Sequence, residues 1–281
     1  MSAKQLFASA FVAVLASIII WYSQTGSQSW SSSGLPRNQR ILLVTAHPDD
    51  DAMFFSPTLT ALAERNNTLS IFCLSSGTFR DQKGFHTETG FTRQRELQRS
   101  CQLYHIPPER CLTGDSLLAL NQTDPAARVA LAKLGVHCAE NSHPSLFLDG
   151  FKERWAPVRV ASAVRFVVER LGADALVTFD DHGVSEHPNH IAVSRGTRAA
   201  FDKVMSHVHI RRTGANITPR QSPPPPEDGS VGSALHIRSQ AASGQAWRAM
   251  WQCYRSQQVW YRWLYLAFSR YTTTNLLWRL A

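Results

Sequence analysis

Four side chains able to bind a cation or transfer a proton follow the first apolar run of the chain. His47, Asp49, Asp50 and Asp51 lie in "AHPDDDAMFF", directly after the apolar residues "ILLVT" at 41–45. Three adjacent carboxylates repel one another unless a cation binds them or water solvates them. Their position at the end of a buried strand predicts a cation site. The alternative is that they only cap the N-terminus of a helix.

A second polar cluster follows another apolar run, "LVTF". The segment "DDHGVSEHPNH" at 180–190 holds two acidic residues and three histidines, namely Asp180, Asp181, His182, His187 and His190. Such residues are also typical of an exposed loop. In a parallel α/β sheet, however, the loops after two strands can meet at one edge. Imidazole nitrogens with a carboxylate oxygen form the three-ligand set of a catalytic zinc site, whereas an all-oxygen set favours magnesium or calcium.

The spacing within the two clusters suggests how roles divide among their members. A proline after His47 fixes the chain, so that the first helical turn begins at the following aspartates. His47 and Asp50 can then face one point while Asp49 faces elsewhere. His187 and His190, three residues apart, can present one ring to a metal ion and the other to a substrate.

The elements that must position these clusters alternate along the chain. Short apolar, β-rich runs predict strands at 41–46, 69–74 and 174–180. Helix-like stretches predict helices at 52–65, 93–104, 158–171 and 190–208. Continuously apolar strands are typical of a parallel sheet covered on both faces. We therefore predict an α/β fold with a Rossmann-like, open, mostly parallel sheet, helices on both faces, and ligands bound at the carboxyl ends of the strands.

The N-terminal end of the chain is strongly apolar. Residues 6–22, "LFASAFVAVLASIIIWY", contain no charged residue and predict an uncleaved transmembrane helix, with a cleaved signal peptide as the alternative. The predicted organisation is a membrane anchor at 1–22, a flexible linker at 23–38, a catalytic α/β domain at 39–210, a Pro-rich mobile loop at 211–244, and a C-terminal aromatic and basic segment at 245–281.

Aromatic and arginine residues alternate in the C-terminal segment. Four arginines recur every seven or eight residues, and acidic residues are absent from 246–280; the arginines are Arg248, Arg255, Arg262 and Arg270. A helix lying among lipid headgroups accounts for both the rings and the guanidinium groups, with a buried core helix as the alternative. Because nearly all of the net charge of +8 lies in the C-terminal quarter of the chain, from Met205 onward, we expect contact with an anionic lipid surface and none with nucleic acid.

The cysteines are odd in number and show no CxxC spacing; they are Cys73, Cys101, Cys111, Cys138 and Cys253. This pattern predicts reduced thiols facing the cytosol rather than a disulfide scaffold or a cysteine-based zinc site. Three N-x-[ST] sequons, at Asn66, Asn121 and Asn216, oppose this prediction only if their loops face a secretory lumen.

The two polar clusters resemble the motifs of a known family. "AHPDDDAMFF" resembles the "AHPDDE" signature of the PIG-L/LmbE family of zinc-dependent de-N-acetylases, and "TFDDHGVSEHPNH" is similar to its second motif. "TRQREL" at 92–97 resembles the helix after the family's second strand. The C-terminal segment is similar to the tail of the branch that acts on N-acetylglucosaminyl-phosphatidylinositol, a glycolipid substrate in the membrane.

The resemblance implies an LmbE-like fold and an enzyme anchored in the endoplasmic reticulum membrane by a single pass, with its catalytic domain in the cytosol. It also implies a division of labour in the site. His47, Asp50 and His190 would bind zinc or another divalent metal. Asp49 would be the general base. His187 would stabilise the oxyanion or protonate the leaving amine. Supporting or substrate-contacting roles would belong to Asp51, Asp180 and Arg93.

Three positions depart from the family's pattern. Asp51 stands in place of Glu, Glu186 in place of the Gly before His187, and Tyr254 in place of His. They motivate one alternative, a catalytically dead membrane scaffold subunit. The other alternative is a de-N-acetylase of a different N-acetyl sugar or small molecule.

Overall fold

The structure is a computed structural model that describes residues 34–120, 123–133, 145–200, 204–207 and 234–279. The predicted membrane anchor lies outside these residues. Within the described ranges, no helix combines the length and the apolar character that crossing a membrane requires.

The strands form one large sheet and one small hairpin. The large sheet contains β1 (Arg40–Thr45), β2 (Thr68–Cys73), β5 (Cys111–Thr113), β6 (Ala175–Thr178), β7 (Val204–His207), β8 (Ala234–Arg238) and β9 (Thr274–Arg279), and the antiparallel hairpin contains β3 (Arg80–Asp81) and β4 (Gly84–Phe85). The order across the large sheet is β5-β2-β1-β6-β7-β9-β8. The first five of these strands run parallel; β9 pairs antiparallel with β7, and β8 pairs antiparallel with β9 at that edge.

Strand β1 lies at the centre of the parallel part. All of its residues from Ile41 to Thr45 are buried, as expected for a strand with helices on both faces. It pairs with β2 on one side and with β6 on the other, so the strand order reverses at β1. In open α/β sheets the crevice at such a reversal is the usual ligand site. The carboxyl ends of β1 and β6 therefore border the expected position of the site.

The helices cover the sheet and connect its strands. They are α1 (Asp50–Phe54), α2 (Ser56–Ala63), α3 (Thr87–Leu103), α4 (Gly114–Leu120), α5 (Pro125–Lys133), α6 (Pro157–Leu171), α7 (Gly183–Glu186), α8 (Pro188–Ala200), α9 (Gln240–Arg248) and α10 (Trp260–Phe268). Shorter turns are 3-10 helices at Pro108–Arg110, Arg255–Gln257 and Arg270–Thr272 and a π-helix at Ala249–Cys253.

Helix α6 illustrates how sequence determines these bounds. Pro157 occupies the first turn, where its missing N–H costs nothing, and Gly172 ends the helix in the left-handed conformation at φ +59°. Between them, Val160, Val164 and Val167 recur at helical spacing and are buried against the core. The predicted helix at 158–171 is thereby confirmed.

The mostly parallel α/β sheet with the three predicted strands is confirmed, but several boundaries were wrong. The helix predicted at 190–208 ends at Ala200, because the chain returns to add β7 beside β6. The Pro-rich stretch 211–244 is not loop throughout: it contains β8 and the start of α9, since Leu235 and Ile237 are buried and pair with β9. The linker also ends early, because Leu35 is buried in the core.

The cysteine chemistry differs from the prediction. Cys101, near the end of α3, and Cys111, at the start of β5, form a disulfide, with their Cα atoms 6.3 Å apart. Cys73 and Cys253 are buried free thiols. The expectation of reduced thiols was therefore wrong for one pair. The bond depends on the return of the chain from α3 into the sheet, and sequence spacing carries no signal for that proximity.

The C-terminal segment is not one helix but two short α-helices, intervening turns and the strand β9. Two buried acidic residues attach it to the domain. The Tyr254 hydroxyl donates to Asp51 Oδ1 at 2.5 Å. Ser256 donates from its backbone N and its Oγ to Glu96, at 2.7 Å each. The segment is thus packed against the same aspartate motif that was predicted to do chemistry.

The Tyr254–Asp51 hydrogen bond generates a stability prediction. Burial raises the pKa of Asp51 to about 6 even though Ser100 and Tyr254 donate to it, so loss of a donor leaves a buried acceptor unsatisfied. Tyr254→Phe should lower the free energy of unfolding by about 1–3 kcal/mol, measured by chemical denaturation. The exposed Tyr261→Phe is the matched control. In an Asp51→Asn background the cost of Tyr254→Phe should shrink, and strictly additive costs would contradict the pairing.

Candidate active site

The chain turns sharply where β1 ends and α1 begins. Asp49 adopts φ +112°, an uncommon conformation for a residue with a side chain. This turn folds the Asp50 carboxylate back onto the end of β1, where its Oδ2 accepts hydrogen bonds from the backbone N–H groups of Ala46 at 3.0 Å and His47 at 2.8 Å. Asp49, Asp50 and Asp51 are all buried. The cluster is therefore an organised site and more than a set of helix caps.

The second cluster brings His190 to the same point. Its Nδ1 lies 2.9 Å from the carbonyl oxygen of Gly183, and because a carbonyl can only accept, Nδ1 carries the proton. The lone pair on Nε2 then faces His47 Nδ1 at 3.1 Å and Asp50 Oδ1 at 3.4 Å. Phe179 stacks on the ring at 4.3 Å between centroids and holds its plane. This arrangement leaves Nε2 available as a ligand atom.

The converging donor atoms fit a divalent metal ion. His47, His187 and His190 can each offer a nitrogen within 4.8 Å of the others. Asp50 adds a carboxylate oxygen that is already oriented by the backbone. Catalytic zinc sites are built from imidazole and carboxylate ligands. In such sites a hydrogen bond to the outer ring nitrogen fixes the tautomer of each ligating histidine. The structure brings all three predicted ligands together, and their coordination of an ion stays a prediction.

Asp49 points away from these donors and towards two guanidinium groups. Its Oδ2 lies 2.6 Å from Arg262 Nη2, and its Oδ1 lies 3.9 Å from Arg93 Nη2. Burial raises the pKa of Asp49, while Arg262 and Arg93 act in the opposite direction. The side chain is thus separate from the donor set, as the spacing predicted, and its role as general base stays a prediction.

His187 is half-buried at the mouth of the site beside the exposed ring of Phe151. Burial and the charges of His47 and His190 lower the pKa of His187 to about 4, so the ring is neutral at neutral pH. Its Nδ1 accepts from the backbone N–H of Asn189 at 3.2 Å, which leaves the proton on Nε2. His187 is therefore a neutral ring with an Nε2–H donor.

Two residues that sequence reasoning missed hold the outer nitrogen of His47. Its Nε2 lies 3.1 Å from both Asp149 Oδ1 and Asn189 Oδ1. Burial by itself lowers the pKa of His47, but Asp149 and Asp50 outweigh it and raise the pKa to about 9. Asn189 lies inside the motif at 180–190. Asp149 follows the apolar run "LFL", although no strand forms there apart from a single bridge.

The remaining predicted residues surround the centre. Asp180 Oδ1 accepts from the backbone N–H groups of His182 and Val184 and so shapes the loop that contains Gly183. Arg93 forms an ion pair with Asp149 at 2.5 Å and donates to the Pro48 carbonyl at 3.1 Å. Asp51 lies behind the site, where it binds the Tyr254 and Ser100 hydroxyls, each at 2.5 Å. Asp181 and His182 are exposed and lie outside this arrangement.

Glu186, one of the departures from the family's pattern, adopts φ +58°, a conformation that favours glycine. Glu186→Gly should raise the free energy of unfolding by about 0.5–1 kcal/mol, because the relieved strain exceeds the entropy that glycine adds to the unfolded chain. Thermal denaturation measures the change. Glu186→Ala, which removes the carboxylate but keeps Cβ, should not stabilise the protein, and an equal gain in both variants would contradict the strain argument.

Metal affinity should fall as the pH falls. The pKa of Asp50 is lowered to about 2, since its histidine neighbours outweigh burial, so this ligand stays ionised at all working pH values. His47, with its pKa near 9, must lose a proton to bind. Zinc affinity should therefore drop by about tenfold per pH unit below 9 for each proton displaced, measured by competition with a chromophoric chelator. Asp149→Asn should flatten this dependence, and affinity unchanged between pH 6.5 and 8.5 would contradict it.

Comparison with known proteins identifies a family that shares this sequence. Residues 42–201 match the family model described as PIG-L: GlcNAc-PI de-N-acetylase. The N-acetylglucosaminyl-phosphatidylinositol de-N-acetylase of Bos taurus is 32% identical, with 98% of each chain covered. The probable enzyme of that name from Schizosaccharomyces pombe is 29% identical, covering 90% of this chain and 92% of its own.

A solved structure supports the fold. N,N'-diacetylchitobiose deacetylase from Pyrococcus horikoshii superposes with a TM-score of 0.51 at 11% identity, covering 82% of this chain and 75% of its own. The region matched by the family model, residues 42–201, includes most of β1, all of β6 and both polar clusters. Since the family model covers more than half of the sequence and the bovine relative nearly all of it, the chain belongs to the PIG-L family of GlcNAc-PI de-N-acetylases.

Proposed function

We propose that this protein hydrolyses the N-acetyl group of N-acetylglucosaminyl-phosphatidylinositol, giving glucosaminyl-phosphatidylinositol and acetate in glycosylphosphatidylinositol-anchor biosynthesis. The observation that carries the proposal is the convergence of His47, Asp50 and His190 at the ends of β1 and β6, with Asp49 beside them. The names of the similar proteins over almost the whole chain support the choice of substrate.

The proposed enzyme depends on a divalent metal, preferably zinc. The donors would be His47 Nδ1, Asp50 Oδ1 and His190 Nε2, with Asp149 and Asn189 orienting His47 from behind. When bound, zinc would lower the pKa of a water molecule and polarise the acetyl carbonyl. The same donor types also accept iron and other divalent ions, which metal analysis of the purified protein distinguishes.

The protein's own groups would handle the protons. Asp49, which pairs with Arg262 and lies near Arg93, would accept a proton from the attacking water. His187 would donate its Nε2–H to the developing oxyanion. A neutral His187 can donate this hydrogen bond but does not act as a general acid. The proton held by Asp49 would therefore pass to the leaving amine as the carbon–nitrogen bond breaks.

We propose that the enzyme acts at the endoplasmic reticulum membrane, because its substrate carries acyl chains and its relatives are named for this glycolipid. The single-pass anchor at 1–22 and the cytosolic orientation of the catalytic domain stay predictions. The Cys101–Cys111 disulfide is the observation that opposes a cytosolic orientation, since such bonds persist mainly in oxidising compartments.

Two substitutions test the proposed chemistry. Asp49→Asn removes the proton acceptor and His47→Ala removes a metal ligand, so each should lower kcat/KM by at least about 100-fold. The assay is acetate release from the glycolipid in detergent micelles, with Asp181→Asn as the control because Asp181 is exposed and pairs with Arg198. Wild-type rates in both variants would refute the assignment.

The same assay separates the alternatives. Release of acetate from other N-acetyl sugars but not from the glycolipid would favour a different de-N-acetylase. A purified protein that contains no metal and stays inactive after zinc addition would favour the scaffold subunit.

A further inference from the structure

Helix α10 has an inner face that contacts the site. Arg262 forms the ion pair with Asp49, and its Nη1 lies against the sulfur of Met53. Tyr265 donates its hydroxyl to the carbonyl oxygen of Met53 at 2.9 Å, and its ring packs 6.0 Å from that of Phe54 in α1. These residues recur at helical spacing. The inner face is thus bound to α1, the helix that contains Asp50 and Asp51.

The outer face of the same helix is apolar and exposed. Trp260 is 76% exposed and Phe268 68%, and Tyr261, Trp263 and Leu264 are exposed as well. Among the described side chains of α10, only Leu266 is buried. A nine-residue helix is too short to be stable in water by itself, and its packing normally supplies the stability. An apolar face of this size is typical of a docking surface.

The charges around this face identify the kind of partner. Arg248, Arg255 and Arg270 are exposed on the flanking turns and helix, and the sequence from 246 to 281 contains no acidic residue. Aromatic rings surrounded by arginines match an anionic lipid headgroup region, where the rings enter the interface and the guanidinium groups meet phosphates.

The contact between Arg262 and Asp49 is sensitive to the position of α10. Although Nη2 and Oδ2 are 2.6 Å apart, Asp49 Oδ2 and Arg262 Nε have no aligned hydrogen-bond partner among the described residues. Arg93 Nε also lacks such a partner, but the Arg93 guanidinium is held by Asp149 and the Pro48 carbonyl. A movement of α10 therefore changes the charge beside Asp49 more readily than a movement of α3 does.

We propose that α10 is a two-faced lipid-docking helix whose outer aromatic face binds the anionic membrane surface and whose inner residue Arg262 positions Asp49. The proposal rests on the proposed function, because it assumes that the substrate is drawn from that membrane. Docking covers the exposed rings and immobilises the helix, which holds Arg262 against Asp49 while the glycolipid headgroup enters the site.

The outer face is tested with the full chain reconstituted in anionic vesicles. Trp260→Ser/Phe268→Ser should lower the rate on vesicle-embedded glycolipid by at least about tenfold, since two rings leave the interface. On a water-soluble headgroup without acyl chains, the rate should stay within about twofold of wild type. Phe91→Ser, an exposed ring on α3, is the matched control and should change neither rate.

Bilayer contact is read independently by brominated lipids, which quench tryptophan fluorescence. Quenching should be stronger in the wild-type protein than in the double variant, and replacing anionic by neutral lipid should reduce both the quenching and the wild-type rate on vesicles. Equal quenching in the two proteins, or equal losses on both substrates, would overturn the docking surface. Wild-type protein that releases no acetate from either substrate refutes the proposed function instead, and the quenching comparison still decides the docking surface.

The inner face is tested with Arg262→Gln. This variant should lower kcat by about 10- to 100-fold on both substrates with KM nearly unchanged, because a group that acts on Asp49 affects the reacting state. Arg262→Lys should restore part of the rate. Arg195→Gln, an exposed arginine outside the docking surface, should leave the rate on both substrates unchanged. A rise in KM without a fall in kcat, or no rescue by lysine, would overturn the positioning role.

Discussion

Three adjacent buried carboxylates impose the constraint on which this structure depends. Each would repel its neighbours in a low-dielectric interior, and each has a different kind of partner. Asp50 receives backbone N–H groups and faces two imidazoles, Asp49 faces two guanidinium groups, and Asp51 receives two hydroxyls. The different partners give the three identical side chains three different chemical environments within one helical turn.

The partners come from distant parts of the chain, which explains much of the fold. The imidazole at 190 follows β6, the guanidinium of Arg93 lies on α3, and Arg262 and Tyr254 lie in the C-terminal segment. A domain that ended near residue 210 would leave Asp49 without Arg262 and Asp51 without Tyr254. The aspartate motif therefore depends on the packing of the C-terminal segment against the site.

The sequence sufficed for those features that depend on short-range pattern. Buried parallel strands read as continuous apolar runs, so β1, β2 and β6 and the polar turns after them could be predicted, and with them the residues that converge. Asp149 and Asn189 could not be assigned as partners of His47, because that contact depends on the path of a loop. The Cys101–Cys111 bond likewise depends on the path of the chain. Strand β8 could not be predicted either, because it has few apolar residues and forms only by pairing with β9.

The hydrogen bond between Asp51 and Tyr254 joins two of the positions at which the sequence departs from the family's pattern. Aspartate is shorter than glutamate, and tyrosine reaches farther than histidine, so the pair spans the gap with the reach divided differently. Both side chains are fully buried, so a longer acid opposite the tyrosine would have to displace neighbouring atoms. The two positions are therefore expected to be coupled, so that the residue accepted at one depends on the residue present at the other.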